Sequence, residues 1–295
     1  MIRVAIISDV HGSISALDAV IKDADNRGVA KFWCLGDVIG KGPFPFECLT
    51  RLVDLGPDRL EVWLAGNHEC AAVGPLESPL QPRDKEVTES NHGRTLRHDS
   101  RLNRFVNPRT YSGFRWEIST LRKISEEGPM TYAVHGGADL ARENKVTNYC
   151  GNPSQAQLLK TQCDESADFN GIEKPQLILV GHTHIPQILE WGVGARGAAQ
   201  PTERLIEWGM PVRLTGISTL VNPGTAGCWT RTPNDWGASY VIVDADKHSV
   251  IVTFVLVQVD LSRERSEMDR NSIFSPFKDQ LRGNSDEQPV GNGSK

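Results

Sequence analysis

Three things are missing from this sequence, and each closes off a class of function. There is no excess of positive charge: 32 Lys and Arg stand against 37 Asp and Glu, a formal net charge of -5. Duplex nucleic acid is a polyanion gripped by basic patches, so it is not an expected partner. There is no apolar run of the roughly 20 residues that a membrane span requires, so no membrane association is expected. There is no paired cysteine spacing either. The six cysteines (Cys34, Cys48, Cys70, Cys150, Cys163 and Cys228) are scattered and form no C-x-x-C. They read as the reduced thiols of a cytoplasmic protein rather than as a disulfide framework. Residues 2–8 are already strand-like, with no charged leader, apolar stretch and cleavage site ahead of them. No internal repeat is visible.

What is present is an ordinary globular composition, 39% hydrophobic and 23% charged over 295 residues, ample for a sizeable core. Short apolar runs recur at 4–7, 32–35, 60–64, 132–134, 177–180, 219–221, 240–243 and 250–257, each followed by turn residues. The early runs have little alternation, which suits strands buried on both faces. Helical patterns lie between several of them. Ser13 is placed to cap a helix carrying Ile14, Leu17, Val20 and Ile21 on one face. Cys48, Leu49, Leu52 and Val53 mark a second helix, and Ser154 opens a third with Leu158 and Leu159 inward. The last two runs, separated by 244–249, read as an antiparallel hairpin. This alternation of strands and helices predicts an α/β fold. One domain is expected over 1–260, with insertions near 74–128 and 192–211, then an extension over 261–295 whose charged, Gly- and Ser-rich end is expected to be disordered. The insertions are either lids over a site or plain surface elaborations.

Five apolar runs are followed at once by a side chain able to bind a metal. Asp9 and His11 follow the first, and Asp37 follows Cys34-Leu35-Gly36. Asn67, His68 and Glu69 follow Leu64-Ala65-Gly66, His135 follows Ala133-Val134, and His182 and His184 follow Leu179-Val180-Gly181. Ligand sites of α/β sheets lie beyond the carboxyl ends of the strands, so the five groups are expected to converge on one edge. Carboxylate, amide and imidazole without thiolate suit metals such as Mn, Fe or Zn. The two oxygens of Asp37 allow it to bridge two ions. Glycines at 12, 36, 66, 136, 137 and 181 permit tight turns there. A lone histidine would mean little; an ordered set of five such groups is hard to produce by chance.

The order D-x-H, G-D, G-N-H-E, H-G-G and G-H-T-H resembles the calcineurin-like metallophosphoesterases over about 4–257, with the two insertions matching poorly. The resemblance implies a four-layer α/β/β/α sandwich of two mixed sheets. It implies one metal held by Asp9, His11, Asp37 and His184, and a second by Asp37, Asn67, His135 and His182. His68 is then not a ligand: it sits over the leaving group or a non-bridging oxygen, where it can act as the catalytic acid. Two divalent ions (Mn, Fe, Zn, Ni or Mg) would support in-line attack of a bridging hydroxide on a small phosphoester. Gly36-Asp37-Val38-Ile39-Gly40-Lys41-Gly42-Pro43 and Asn222-Pro223-Gly224-Thr225-Ala226-Gly227 resemble the compact prokaryotic-type phosphodiesterases. Gly40, Lys41 and Ala65 depart from the pattern of eukaryotic-type serine/threonine phosphatases.

Some candidates keep two readings. Lys41 and Arg231 are substrate-contact candidates, although Arg231 is equally placed to pair with Asp235 or Asp244. Arg94, Arg97, Arg101 and Arg104 would share a helix face, a lid or, favoured two to one, a solvated surface. Trp229 and Trp236 either stack on a substrate ring or, more often for such residues, pack inside. The reading is a metal-dependent phosphodiesterase or phosphatase on small substrates. Its rivals are a dinucleoside polyphosphate or nucleotide hydrolase, a phosphoprotein phosphatase, a nuclease of short single strands, and a scaffold that has lost its chemistry. The intact set of ligands argues against the scaffold.

Overall fold

From Val4 to Ile7, β1 (Ile2–Ile7) is an unbroken apolar run because it is buried on both faces. Ala5 and Ile7 face one core, while Val4 and Ile6 face another. The computed structural model of the chain describes residues 1–73, 119–137, 150–192, 200–229 and 237–281. After β1 come α1 (Ile14–Asn26), β2 (Lys31–Cys34), α2 (Pro45–Val53), β3 (Leu60–Trp63) and the short α3 (Asn67–Val73). The chain resumes with β4 (Ser119–Lys123), β5 (Met130–Val134), α4 (Pro153–Asn170), β6 (Leu177–Leu179) and β7 (Gln187–Trp191). It then runs through β8 (Thr202–Glu203), β9 (Pro211–Arg213), β10 (Ser218–Asn222), β11 (Ala238–Ala245), β12 (Val250–Val257) and α5 (Ser262–Arg270), ending in a 3-10 stretch, Ser272–Gln280.

Two six-stranded mixed sheets result, ordered β3-β2-β1-β11-β12-β9 and β4-β5-β6-β10-β7-β8. β1, β2 and β3 are parallel, as are β5, β6 and β10; the outer pairings are antiparallel. Three apolar layers hold the stack. One lies between α1, α2 and the first sheet, one between the sheets, and one between the second sheet and α4. The period of two is visible in β6, where Leu177 and Leu179 face the first sheet and Ile178 faces α4. The architecture is the expected α/β/β/α sandwich. The β11–β12 hairpin pairs Ala238 with Val257 through Ala245 with Val250.

Several local expectations change. Ser13 stands at the N-terminus of α1 without making a side-chain cap bond. Glu264, fully buried on α5, instead accepts the Ser15 N–H at 2.8 Å. α4 is opened not by Ser154 but by Asn152, whose side chain accepts the Gln155 N–H, with Pro153 in the first turn. Its buried stripe is Ala156, Leu159, Cys163 and Ala167, so Leu158, about 100° around the helix, is 58% exposed. Ser119–Lys123, inside the stretch read as an insertion, is the edge strand paired with β5. Within 192–211, Ile206 and Trp208 join the core between the sheets, and β8 and β9 extend one sheet each. Residues 261–281, read as an extension, pack Leu261, Met268, Phe274, Phe277 and Leu281 into the layer beneath α1. Among the described residues, no helix is long and apolar enough to cross a membrane.

Candidate metal centre

The parallel strands β1, β2 and β3 of one sheet and β5 and β6 of the other end at the same pole. Just past those ends lie Asp9 and His11, Asp37, Asn67, His135, and His182 and His184, all buried. Five of the seven turn into the left-handed region: Asp9 (φ 57°), His11 (47°), Asp37 (52°), His182 (66°) and His184 (62°). Such conformations cost about 1–3 kcal/mol each in a non-glycine residue and persist only where the surroundings over-determine them. Backbone pairing supplies that restraint. The His11 N–H donates to Asp37 C=O at 2.8 Å, the Gly12 N–H to Val38 C=O at 2.8 Å, and the Asp9 N–H to Gly36 C=O at 3.0 Å. Gly66 is required by close approach, since a Cβ there would lie 2.1 Å from Asp37 Oδ1.

The histidines are aimed by their Nδ1 atoms. Nδ1–H of His135 donates to Leu35 C=O at 2.9 Å, that of His11 to Ile39 C=O at 3.2 Å, and that of His184 to Trp229 C=O at 2.6 Å. This tautomer leaves Nε2 of His11 and of His184 as bare lone pairs pointing inward. Nε2 of His11 and Nε2 of His184 face each other at 2.9 Å. Asp9 Oδ1 is buried without a hydrogen-bond partner, 3.3 Å from His184 Nε2, 3.7 Å from His11 Nε2 and 3.9 Å from His135 Nε2. Asp37 Oδ2 stands between the two halves, 3.1 Å from His135 Nε2 and 3.7 Å from His11 Nε2. Asn67 Oδ1 adds a third acceptor oxygen, 3.2 Å from His135 Nε2. Lone pairs converging on one another in a buried volume repel unless a cation lies among them. The ligand atoms form the groups Asp9–His11–His184 and Asp37–His135–His182, each within 4.8 Å. The residues present therefore fit divalent metal ions, with oxygen and nitrogen donors only.

The electrostatics agree. Burial, with the Lys41 charge second, holds His11 well below the usual imidazole range and lowers His184 as well. Burial, then the charge of His135, takes His182 down to about 3. All three are neutral donors at neutral pH. Burial opposes ionisation of Asp9 and Asp37, but the facing imidazoles outweigh it and hold both carboxyls below their ordinary value. Burial alone would lower His135, yet Asp37 and Asp9 push it up to about 9. In the metal-free centre His135 thus carries the proton that a cation would replace.

His68 lies at the start of α3 with its N–H on Asp37 Oδ1 at 3.0 Å and its ring 4.8 Å from that of His11, edge on. It also forms a group with His11 and Asp37. Lys41 is buried on the loop that pairs with the Asp9 loop. Arg231, Asp235, Trp236 and the arginines at 94, 97, 101 and 104 lie outside the described residues. Trp229 does not stack in a pocket: it is buried in the α1 layer and donates Nε1–H to Val10 C=O at 3.0 Å. The thiols are not donors; all six are free and buried, and burial pushes Cys70 up to about 12.

Sequence reasoning left Glu69 without a role. Its carboxylate accepts N–H groups from Asp37 (2.8 Å), Ile39 (2.9 Å) and Gly66 (2.7 Å), pinning the Asp37 loop to the Asn67 loop. Burial and the Asp37 charge push it up to about 7. The carbonyls of Leu35, Ile39 and Trp229 carry no sequence signal. Thr225 was visible only as part of the Asn-Pro-Gly stretch.

The calcineurin-like phosphoesterase family model matches residues 2–186 of this chain. An uncharacterised protein of Methanocaldococcus jannaschii is 41% identical over 278 residues, covering 92% of this chain and 93% of its own. A metallophosphoesterase crystal structure from Sphaerobacter thermophilus aligns with a TM-score of 0.64 at 24% identity, covering 95% of this chain and 99% of that one. A hypothetical protein of Pyrococcus horikoshii gives 0.62 at 16% identity, covering 96% and 98%. These two structures share the fold, and the match over 185 of 295 residues goes further: the chain belongs to the calcineurin-like phosphoesterase family.

Proposed function

We propose that the chain hydrolyses small phosphoesters with two divalent metal ions. One would be held by Asp9, His11, Asp37 and His184, the other by Asp37, Asn67, His135 and His182. The observation that carries this is the pair of inward-facing donor groups on either side of Asp37, with Asp9 Oδ1 buried and unpartnered between three imidazole nitrogens. Ions there, whether Mn, Fe, Zn, Ni or Mg, would neutralise phosphoryl charge and make a hydroxide available at neutral pH.

The chain's own groups do the rest. The carbonyls on each Nδ1 orient the imidazoles before substrate arrives. Asp37, held ionised, balances positive charge at the midpoint. His68, within reach of Asp37 and His11, is placed to give its proton to the leaving alkoxide, a role worth about 10²–10⁴-fold in rate. Lys41 and Arg231 are proposed to meet the phosphoryl oxygens. Lys41 is supported by its burial and by its charge acting on His11 and His184. The six reduced, buried thiols support a cytoplasmic setting. A hydrolysis panel run with each metal tests the proposal: bis-aryl and aryl phosphate, cyclic nucleotides, dinucleoside polyphosphates and a phosphopeptide. Turnover of at least one small ester is expected. No turnover with any metal would return the chain to the scaffold reading.

A further inference from the structure

The ligands of the first metal position come from different sheets: Asp9 and His11 from the end of β1, His184 from the loop after β6. Their separation depends on what ties those loops together, and residues 222–229 do so. Asn222 Nδ2 donates to Gly181 C=O at 2.9 Å and to Thr183 Oγ1 at 3.0 Å, fixing the segment to the His182–His184 loop. Three bonds fix it to the Asp9 loop: Thr225 Oγ1–H to Asp9 C=O at 2.8 Å, Ala226 N–H to Ser8 C=O at 2.8 Å, and Trp229 Nε1–H to Val10 C=O at 3.0 Å.

One side chain joins the two sets. The Thr225 hydroxyl donates to the carbonyl of Asp9, whose backbone is left-handed, while it accepts the N–H groups of Gly227 and Trp229 at 3.2 Å each. The Trp229 carbonyl in turn receives Nδ1–H of His184 at 2.6 Å. Cys228, between them, is left-handed as well (φ 64°), and a Cβ on Gly227 would lie 2.0 Å from Val10 C=O. The loop therefore has no slack with which to keep both contacts by another route.

We propose that Thr225 is a positioning residue whose hydroxyl sets the distance between Asp9 and His184, and with it the affinity of the metal position those two share with His11. The assignment rests on the two-metal reading above. Outer partners of metal ligands typically change affinity by about 10–100-fold when removed. A purely packing role would depend on the methyl group and the volume instead.

The test is Co(II) and Mn(II) binding to the metal-free full chain, followed by calorimetry and by the Co(II) visible spectrum. Thr225→Val keeps the shape and loses the hydroxyl; Thr225→Ser keeps the hydroxyl and loses the methyl. Thr225→Val should weaken one of two binding events about 10–100-fold, shift that event's spectrum and leave the other alone, while Thr225→Ser stays within about threefold of the wild type. If Thr225→Val does not fold, Thr225→Ala compared with Thr225→Ser makes the same distinction. Equal losses in the Val and Ser proteins, or none in Val, would overturn the assignment alone. A wild-type chain that binds no divalent ion would overturn the metal reading and this assignment with it.

Discussion

Loading the metal-free protein with divalent ions should release protons in an amount that the centre fixes in advance. His135, pushed to about 9 by Asp37 and Asp9 against its burial, is about 99% protonated at pH 7, 91% at pH 8 and half at pH 9. To serve as a ligand it must be neutral. Glu69, pushed to about 7 by burial and by Asp37, is about half protonated at pH 7 and a tenth at pH 8. Cations beside Asp37 and Asn67 favour its ionised form. His11, His182 and His184 are lowered and already neutral, and Asp9 and Asp37 are already ionised, so none of them contributes. These two side chains should therefore release about 1.5 protons at pH 7, about 1.0 at pH 8 and about 0.5 at pH 9, in addition to any proton given up by water. Because these protons compete with the metal, they should make apparent affinity rise with pH, by a margin that shrinks as His135 loses its proton. Calorimetry in buffers of differing ionisation enthalpy counts the protons directly. Glu69→Gln should remove only the Glu69 share, about half a proton at pH 7. Release of no protons at pH 7, or an amount constant from pH 7 to 9, would refute the charge assignment.

Other consequences are separable from that one. His68→Ala should retain metal content by elemental analysis while kcat falls about 10²–10⁴-fold; unchanged kcat removes His68 from the chemistry. Leu159→Ala should destabilise the fold by about 2–5 kcal/mol in urea melts, whereas Leu158→Ser, at an exposed position, should stay within about 0.5 kcal/mol. Asn152→Ala should lower stability by about 1 kcal/mol, with Ser154→Ala close to neutral; the reverse order would return the cap of α4 to Ser154.

The central apolar runs were readable because their strands are buried on both faces, so Val4 to Ile7 and Leu177 to Val180 carry no polar interruption. The ligands were readable because each stands where such a run stops. β4 escaped notice since only Thr120 is buried, Leu121 is half-buried against the outer layer, and Ser-Thr-Leu-Arg-Lys at a sheet edge looks like surface. Residues 262–270 carry so much charge that only Glu264 and Met268 reveal a buried side, and Glu264 is a carboxylate that no pattern of apolar spacing flags. The partners that aim His11, His135 and His184 are backbone carbonyls, which have no letter of their own. Asn152-Pro153 was a legible cap signal, outweighed by the serine that follows it.

Asp37 is proposed to lie at the midpoint of two metal positions, with turnover depending on both. The most direct measurement compares bound metal per chain and phosphoester turnover for the wild type and Asp37→Asn, after each is stripped and reloaded with Mn(II). The expected result is two ions and turnover for the wild type, with loss of both positions and of turnover in the variant. An Asp37→Asn protein that kept two ions and its rate would remove Asp37 from the bridging position.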